Sequence, residues 1–238
     1  MGKVQQRKEG STMKSTGKNK IVRVLELLLI LMLVFTAIPA MPGEAASTKS
    51  KAISAYKKKL SASKVTVLPA GKKVMNRNDD YVTYRYSKRA KVKFAIAYIN
   101  NDNVPELILE DKNYGYGVWA YKGGKVKCVL WGDTYYSPYG YYRKKGIYED
   151  IAWSEGTPFT KCFYQFKNGK MTGKLHKFVY EQGRPEADYY QISSSSRYPK
   201  EISKAVFKKK LKSYVGNTKV TKLSLKSNTS SNRKKYLR

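Results

Sequence analysis

Residues 92–109 read VKFAIAYINNDNVPELIL. Val92, Phe94, Ile96 and Tyr98 alternate on one face, and Ala95, Ala97 and Ile99 fill the other, so both faces are suited to burial toward the end of this stretch. This pattern predicts a β-strand covered on both faces. The apolar pattern resumes at Leu107–Leu109 after a short polar loop. The stretch therefore predicts two paired strands at the start of a β core.

The same kind of pattern continues from Tyr81 to about Ile192 as short runs rich in Val, Ile, Tyr, Phe and Trp. Two hairpins are predicted by nearly identical frames, YKGGKV at 121–126 and FKNGKM at 166–171. Gly-Gly and Asn-Gly both supply the positive φ angles that two-residue hairpin turns require. We therefore expect a mainly β (α+β) fold, an antiparallel sheet of hairpins.

A helix is predicted on each side of this core. Residues 46–64 place Ile53, Tyr56 and Leu60 at helical spacing, which predicts a short N-terminal helix. A C-terminal amphipathic helix ending at Gly216 is predicted by apolar residues at helical spacing, namely Ile202, Val206, Phe207, Leu211, Tyr214 and Val215. Residues 70–80 look like a connector, and a further strand is expected at 221–225. We expect residues 46–80 and 81–238 to form one domain.

The N-terminal 45 residues have the pattern of a signal peptide. A flank rich in Lys and Arg precedes the apolar run LLLILMLVFTAIPA at 27–40. The run is long enough for a signal peptide but shorter than the ~20 residues that span a bilayer. Gly43 and Ala45 are small residues suited to cleavage before Ala46. The sequence predicts a secreted or cell-surface protein, with an uncleaved membrane anchor as the alternative.

The charge of the chain restricts its partners. The net charge is +31, and the first 45 residues contribute seven Lys/Arg and three Asp/Glu, so the remainder keeps +27. A chain with this net positive charge attracts anionic cell-envelope polymers, anionic lipid or nucleic acid, and the attraction weakens as salt is added. The cations are mostly lysines scattered along the chain, whereas specific nucleic-acid binding proteins more often concentrate arginine. Solubility alone is the alternative explanation.

The loop at 98–106 carries oxygen-bearing residues at alternate positions. It resembles the strand–loop–strand element of exported proteins from gut Firmicutes, whose Asp-x-Asn/Asp-x-Asp-Gly-x-x-Glu-Leu loop is akin to the calcium loops of integrin-α FG-GAP repeats. The resemblance extends loosely to the Tyr-Lys-Gly-Gly-Lys hairpin and the C-terminal helix, and it implies no activity. It implies that calcium would be held by Asn100, Asp102, the Val104 carbonyl and Glu106.

Two departures from that pattern weaken the calcium hypothesis. Tyr98 replaces the first aspartate ligand, and Asn103 replaces the turn glycine. Calcium needs six to eight oxygens, and only two of the remaining side chains are anionic. The departures favour a loop that kept its shape after losing its ion, with no cofactor required.

Two cysteines and a group of aromatic residues are the remaining candidates. Cys128 and Cys162 lie in strand-like runs and are a disulfide candidate, with two buried thiols as the alternative. A candidate ligand-binding set is formed by Trp131, Asp133, Tyr135, Tyr136 and Trp153. Four acids flank these aromatics and could supply a glycosidase pair: Asp133, Glu149, Asp150 and Glu155.

Other catalytic motifs are absent from the sequence. His176 is the sole histidine and lies in an alternating run typical of a surface strand. There is no His/Cys cluster for zinc and no Gly-rich phosphate loop. We therefore expect an exported non-catalytic module that binds anionic or glycan envelope components. An extracellular carbohydrate-active enzyme is the alternative, and a cationic factor acting on membranes or nucleic acid is a third class.

Overall fold

The computed structural model describes residues 42–154, 157–178, 188–192 and 199–238. Residues 43–238 form one compact unit. The apolar run at 27–40 lies outside the described residues. None of the helices within the described ranges combines the length and apolarity needed to cross a membrane.

The predicted fold class is confirmed: strand accounts for 46% of the described residues and helix for 22%. The helices are α1 (Pro42–Ser61), α2 (Lys204–Val215) and α3 (Ser230–Tyr236). The strands are β1 (Lys64–Val65), β2 (Lys73–Met75), β3 (Tyr81–Thr83), β4 (Ser87–Lys88), β5 (Lys93–Ala97), β6 (Glu106–Asp111), β7 (Gly115–Lys122), β8 (Lys125–Gly132), β9 (Tyr136–Tyr142), β10 (Ile147–Ser154), β11 (Thr157–Lys167), β12 (Lys170–Phe178), β13 (Asp188–Gln191), β14 (Lys200–Glu201), β15 (Thr221–Lys222) and β16 (Lys226–Ser227).

The strands form two large antiparallel sheets in place of the single sheet that was expected. One has five strands in the order β16-β5-β6-β7-β8, and the other has seven in the order β14-β13-β12-β11-β10-β9-β15. The chain passes from the first sheet to the second in the short connection between β8 and β9. Two-stranded ribbons, β1-β4 and β2-β3, complete the described strands.

Three apolar clusters show that the molecule is layered. One side of the five-stranded sheet packs on α1, where Ile53, Tyr56 and Leu60 are buried as predicted. The second cluster joins the two sheets, and its members include Ala95 and Ala97 of β5 and Tyr148 of β10. The third cluster packs α2 on the far side of the seven-stranded sheet. The order of layers is therefore helix, sheet, sheet, helix.

The position of β5 between α1 and the second sheet explains why its sequence is apolar on both faces. Phe94 belongs to the cluster beneath α1, whereas Ala95 and Ala97 face the second sheet. Small side chains on the inner face let the two sheets approach closely, because each alanine adds a single methyl group. The prediction of a strand buried on both sides is confirmed.

Helix α2 begins after Ser203, whose side chain accepts a hydrogen bond from the Val206 amide, and it ends at Gly216 with φ of 61°. Phe207 packs against the rings of Phe163 and Tyr189. Of the apolar residues predicted to face the core, Val206 is exposed. Helical rotation places it on the outer face one position before the buried Phe207.

Three local predictions were wrong. The connector at 70–80 contains β2, and α1 begins at Pro42, before the predicted start at residue 46. The strand expected at 221–225 is split into β15 and β16, which join different sheets.

The C-terminal tail forms α3, and Leu237 is buried in the same cluster as Leu60. Burial of this single leucine docks a tail whose sequence is otherwise polar and basic.

Candidate functional site

Exposed aromatic side chains collect at one end of the two-sheet sandwich. This aromatic end consists of the turns at 76–80, 112–114 and 133–135. Tyr81 is 73% exposed, Tyr135 41% and Tyr136 36%. Large aromatic side chains left in water mark binding surfaces more often than single exposed aliphatic residues do.

Hydrogen bonds hold the three turns together. The Thr134 hydroxyl donates to the Met75 carbonyl at 3.1 Å, and the Arg77 amide donates to the Asn113 carbonyl at 3.2 Å. The Tyr135 hydroxyl donates to the Asp79 carboxylate at 3.3 Å. The aromatic end is therefore a built surface in which the β2–β3 ribbon is attached to both sheet turns.

A cleft of about 320 Å³ opens between these turns, lined by Arg77, Asp79, Lys112, Tyr135 and Tyr136 among others. Its base requires glycine. Gly115 has φ of +113°, and a Cβ atom there would lie 2.1 Å from the Gly132 carbonyl oxygen. Any side chain at this position would push β7 away from the end of β8.

The structure brings together only part of the predicted ligand-binding set. Tyr135 and Tyr136 line the cleft, and Asp133 lies in the adjoining turn. Trp131 is exposed but pairs with Gly117, whereas its neighbour Gly132 contacts Tyr136. Because adjacent strand residues face opposite sides, Trp131 lies on the other face of the five-stranded sheet.

Trp153 is attached to the aromatic end through its backbone and not through an exposed ring. Its amide donates to the Tyr135 carbonyl at 2.7 Å. Its indole nitrogen is buried and has no hydrogen-bond partner within the described part of the chain. The predicted pair of tryptophan platforms, Trp131 and Trp153, is therefore not formed.

The acids proposed for catalysis are separated by the fold. Glu149 and Asp150 are consecutive in β10, and both side chains are buried, at 2% and 1% exposure. Glu149 pairs with the Lys161 ammonium at 3.1 Å, whereas Asp150 accepts a hydrogen bond from Tyr116 of the other sheet. These two carboxylates point to opposite faces and cannot flank one glycosidic bond. Glu155 lies outside the described residues.

Burial changes the protonation of Asp150. It raises the pKa of this carboxyl to about 7, against the opposing effect of the hydrogen bond from Tyr116. Burial also raises the pKa of Glu149, although Lys161 opposes the shift. A raised pKa suits an acid catalyst, but neither carboxyl group is among the residues that line the aromatic cleft.

In the loop that resembles a calcium site, the carboxylate oxygens accept hydrogen bonds from N–H groups of the same segment. The Asp102 carboxylate accepts hydrogen bonds from the Val104 amide and from the Asn100 side-chain amide, both at 2.8 Å. Glu106 is buried and accepts from the Ile99 amide at 3.0 Å. Asn103 has φ of 60°, the conformation that the resemblance implies for the turn glycine. The loop shape is retained, and N–H donors occupy the carboxylate oxygens.

Calcium coordination by this loop stays a prediction. In the described residues no group of three or more His, Cys, Asp or Glu side chains is placed to hold a metal. Burial raises the pKa of Glu106 to about 8, which favours its neutral form at neutral pH. A neutral acid is a poor calcium ligand, so binding would first require loss of this proton.

Comparison with known proteins leaves the family open. No family model, no curated protein and no solved structure matches the chain. What this protein binds has to be inferred from the chemistry of its own residues.

The disulfide left open by the sequence is not formed. Cys128 and Cys162 are both free thiols. Cys128 lies in β8 and packs with the cluster beneath α1. Cys162 lies in β11 of the other sheet and pairs in register with Asp150. The two thiols therefore belong to different layers of the molecule.

Sequence reasoning missed the ribbon that completes the aromatic end. Arg77, Asp79 and Tyr81 were assigned to a connector and to the edge of the β core. The signal was present, because an Asn/Asp-rich turn at 76–80 separates two short apolar runs. The Asn76 side chain accepts hydrogen bonds from the Asn78 and Asp80 amides, which closes that turn.

Proposed function

We propose that this chain is an exported binding module that attaches to glycan components of the cell envelope through its aromatic end. Export is inferred from the signal-peptide pattern at 1–45. The observation that carries the ligand class is the group of exposed tyrosines at the aromatic end. Tyr135 and Tyr136 line the cleft, and Tyr81 begins β3, directly after the turn at 76–80. Their rings offer flat apolar faces, and the C–H face of a sugar ring packs on such a surface.

The polar groups of the cleft fit the same ligand. Asp79 can accept hydrogen bonds, and Arg77 and Lys112 can donate them. A sugar hydroxyl in the cleft therefore finds a partner whether it donates or accepts. The bond between Tyr135 and Asp79 also fixes the tyrosine ring before a ligand arrives. A surface that is already ordered loses less conformational entropy on binding.

Binding without catalysis agrees with the placement of the acids that the sequence proposed for catalysis. Of the four proposed acids, Asp133 lies beside the cleft, while Glu149 and Asp150 are buried on opposite faces of β10. A carbohydrate-active enzyme is the alternative function. A broad glycan screen that detects turnover abolished by Asp133→Asn would favour the enzyme.

A binding experiment tests the proposal. The secreted chain is incubated with purified insoluble cell-wall glycan at 1 M salt, where electrostatic attraction is screened. Tyr135→Ala and Tyr81→Ala should each weaken retention about 5- to 10-fold, the equivalent of roughly 1 to 1.5 kcal/mol for an aromatic contact. Tyr236→Ala is the matched control, because Tyr236 is 38% exposed, close to the 41% of Tyr135, but belongs to α3. Equal retention of the Tyr81→Ala/Tyr135→Ala double variant and the native chain would refute the proposal.

A further inference from the structure

Four connections meet at the end of the sandwich opposite the aromatic end. This basic end consists of the loop at 98–105 and the turns at 123–124, 143–146 and 168–169. The Lys144 amide donates to the Tyr98 carbonyl at 3.0 Å, and the Gly146 amide donates to the Ile99 carbonyl at 2.7 Å. Antiparallel strands place alternate connections at the same end, which gathers turns that are distant in sequence.

The two hairpins with matching sequence frames touch each other here. The Lys122 ammonium of the β7–β8 hairpin donates to the Asn168 carbonyl of the β11–β12 hairpin at 2.6 Å. A Cβ atom on Gly169 would lie 2.6 Å from Cδ of Lys122, so the glycine leaves room for the lysine stem. The hairpins belong to different sheets, and the stacking of those sheets brings their tips together.

Each hairpin places two lysines directly opposite one another. Lys122 pairs with Lys125, and Lys167 pairs with Lys170. All four side chains are exposed. Like charges in directly opposite strand positions repel each other and destabilise a sheet. Lys161–Glu149 is the one ion pair between described residues, so no carboxylate in the described ranges forms an ion pair with these four lysines.

The neighbouring turn adds to the positive charge. Arg143, Lys144 and Lys145 are exposed in the β9–β10 turn. The Arg143 guanidinium lies over the Tyr98 ring, 5.5 Å from its centre. A ring face supports the arginine without removing its charge. The basic end therefore presents seven cations from three turns.

A cleft of about 480 Å³ lies between the loop at 98–105 and the two hairpin turns, and two carboxylates line it. Glu106 is 2% exposed, and its carboxyl group already accepts a hydrogen bond from the Ile99 amide. Asp102 is exposed, but its carboxylate already accepts hydrogen bonds from Val104 and Asn100. Asp102 therefore opposes an anion only on the loop side of the cleft, and the hairpin side stays strongly positive.

From this arrangement we propose that the basic end binds a linear polyanion with a phosphate in each repeat, held between the two lysine-bearing hairpin turns. A phosphodiester group offers two oxygens that accept from several ammonium groups at once. Lysine binds phosphate oxygens as a point charge, so it does not need the planar, paired geometry that the arginine fork provides. Lys122 keeps two of its three N–H donors after bonding to Asn168.

A repeating polymer fits better than a single phosphate. The lysine pairs lie on adjacent hairpins, so neighbouring phosphates along one chain can each meet a pair. Occupancy would relieve the repulsion between facing lysines, and this relief is added to the direct attraction. The site shares no residue with the aromatic end. The polyanion proposal depends on the proposed function in one respect only, the location of the protein outside the cytoplasm.

Binding to purified, lipid-free poly(glycerol phosphate) tests the site. The native chain is compared with a variant in which Lys122, Lys125, Lys167 and Lys170 are changed to Gln. A control variant carries Lys57→Gln, Lys58→Gln, Lys64→Gln and Lys88→Gln, which removes the same charge from exposed positions on other elements and includes another facing pair. At 0.15 M salt the hairpin variant should bind at least about 10-fold more weakly, with a shallower salt dependence, and the control within about 3-fold.

A second variant keeps the test valid if four substitutions disturb the fold. Asp102→Asn removes the one exposed carboxylate of the cleft and should strengthen polymer binding. Equal losses in the hairpin and control variants would overturn the proposal, because attraction would then follow net charge alone. The proposal would also be overturned if Asp102→Asn does not strengthen polymer binding and the hairpin variant binds as tightly as the native chain.

Competitors identify the chemistry. Inorganic phosphate at millimolar concentration should displace the polymer only partly, because it lacks the repeat. Polyuronate of equal charge density should bind more weakly, and tighter polyuronate binding would overturn the choice of phosphate. A single-stranded oligonucleotide that outcompetes the polymer at equal phosphate would replace the polymer with nucleic acid. Tyr135→Ala should leave polymer binding unchanged, so failure of this site and failure of the aromatic end are distinguishable.

Discussion

The hydroxyl of Tyr116, in the five-stranded sheet, donates a hydrogen bond to the carboxylate of Asp150, in the seven-stranded sheet. Both residues are buried between the sheets. The second carboxylate oxygen, Oδ1, has no partner within the described part of the chain, and neither has the nearby Tyr148 hydroxyl. A buried carboxylate with one unsatisfied oxygen is costly when charged, which is why burial raises the pKa of Asp150.

This arrangement predicts that stability depends on pH. Burial raises the pKa of Asp150 from 3.8 to about 7. Between about pH 4 and pH 7, the folded state holds a proton that the unfolded state has released, so the free energy of unfolding falls as pH rises. Asp150→Asn should remove this part of the fall, roughly 1.4 kcal/mol for each pKa unit.

Urea unfolding at pH 5 and pH 8 measures the effect. Asp133→Asn, in the surface turn, is the control and should keep the native pH dependence. Glu106 contributes a fall of the same sign, since burial raises its pKa from 4.5 to about 8. If the stability of Asp150→Asn falls between pH 5 and pH 8 as steeply as that of the native chain, Asp150 is charged in the folded state and this account is wrong.

Calcium affinity should respond to Tyr98. The native loop should bind calcium weakly or not at all by calorimetric titration, because amide donors already occupy the Asp102 oxygens. Tyr98→Asp supplies the missing first ligand and should tighten binding at least about 10-fold. Tyr98→Phe is the control, since it keeps the ring beside Arg143 without adding a carboxylate. Tight binding by the native chain would contradict this account of the loop.

The base of the aromatic cleft should not tolerate a side chain. Gly115→Ala places a methyl group 2.1 Å from the Gly132 carbonyl at a positive φ. We expect a loss of about 3 kcal/mol or more in the free energy of unfolding. Gly71→Ala is the control, because Gly71 also has a positive φ but its added Cβ meets no atom within 4 Å. That variant should lose about 1 kcal/mol, and similar losses in both would mean that crowding at Gly115 is unimportant.

Export is tested by the N-terminus of the extracellular protein. Mass spectrometry of the culture supernatant should find a chain that begins at Ala46. Leu31→Lys interrupts the apolar run at an expected cost of about 3 kcal/mol and should trap the precursor in the cell. Lys18→Gln leaves the run intact and should still allow export. Recovery of the uncut polypeptide from the cytosol alone would rule out the envelope partners proposed above.

Features that depend on neighbours in the chain were predictable. The alternation in β5 identified a strand with two buried faces, and the Gly-Gly and Asn-Gly pairs located two hairpins whose turn residues all have positive φ. The apolar faces of α1 and α2 followed from spacing along a helix. Such patterns are readable because backbone geometry repeats every two or 3.6 residues.

The number of sheets, the position of their ends and the environment of each acid were decided by the tertiary structure. Nothing within β10 distinguishes Glu149, paired with Lys161, from Asp150, bonded across the sheet interface to Tyr116. Likewise, Lys122 and Asn168 are 46 residues apart and meet only because the sheets stack. Contacts between distant segments depend on how whole layers pack, and a local pattern of side chains carries no information about that packing.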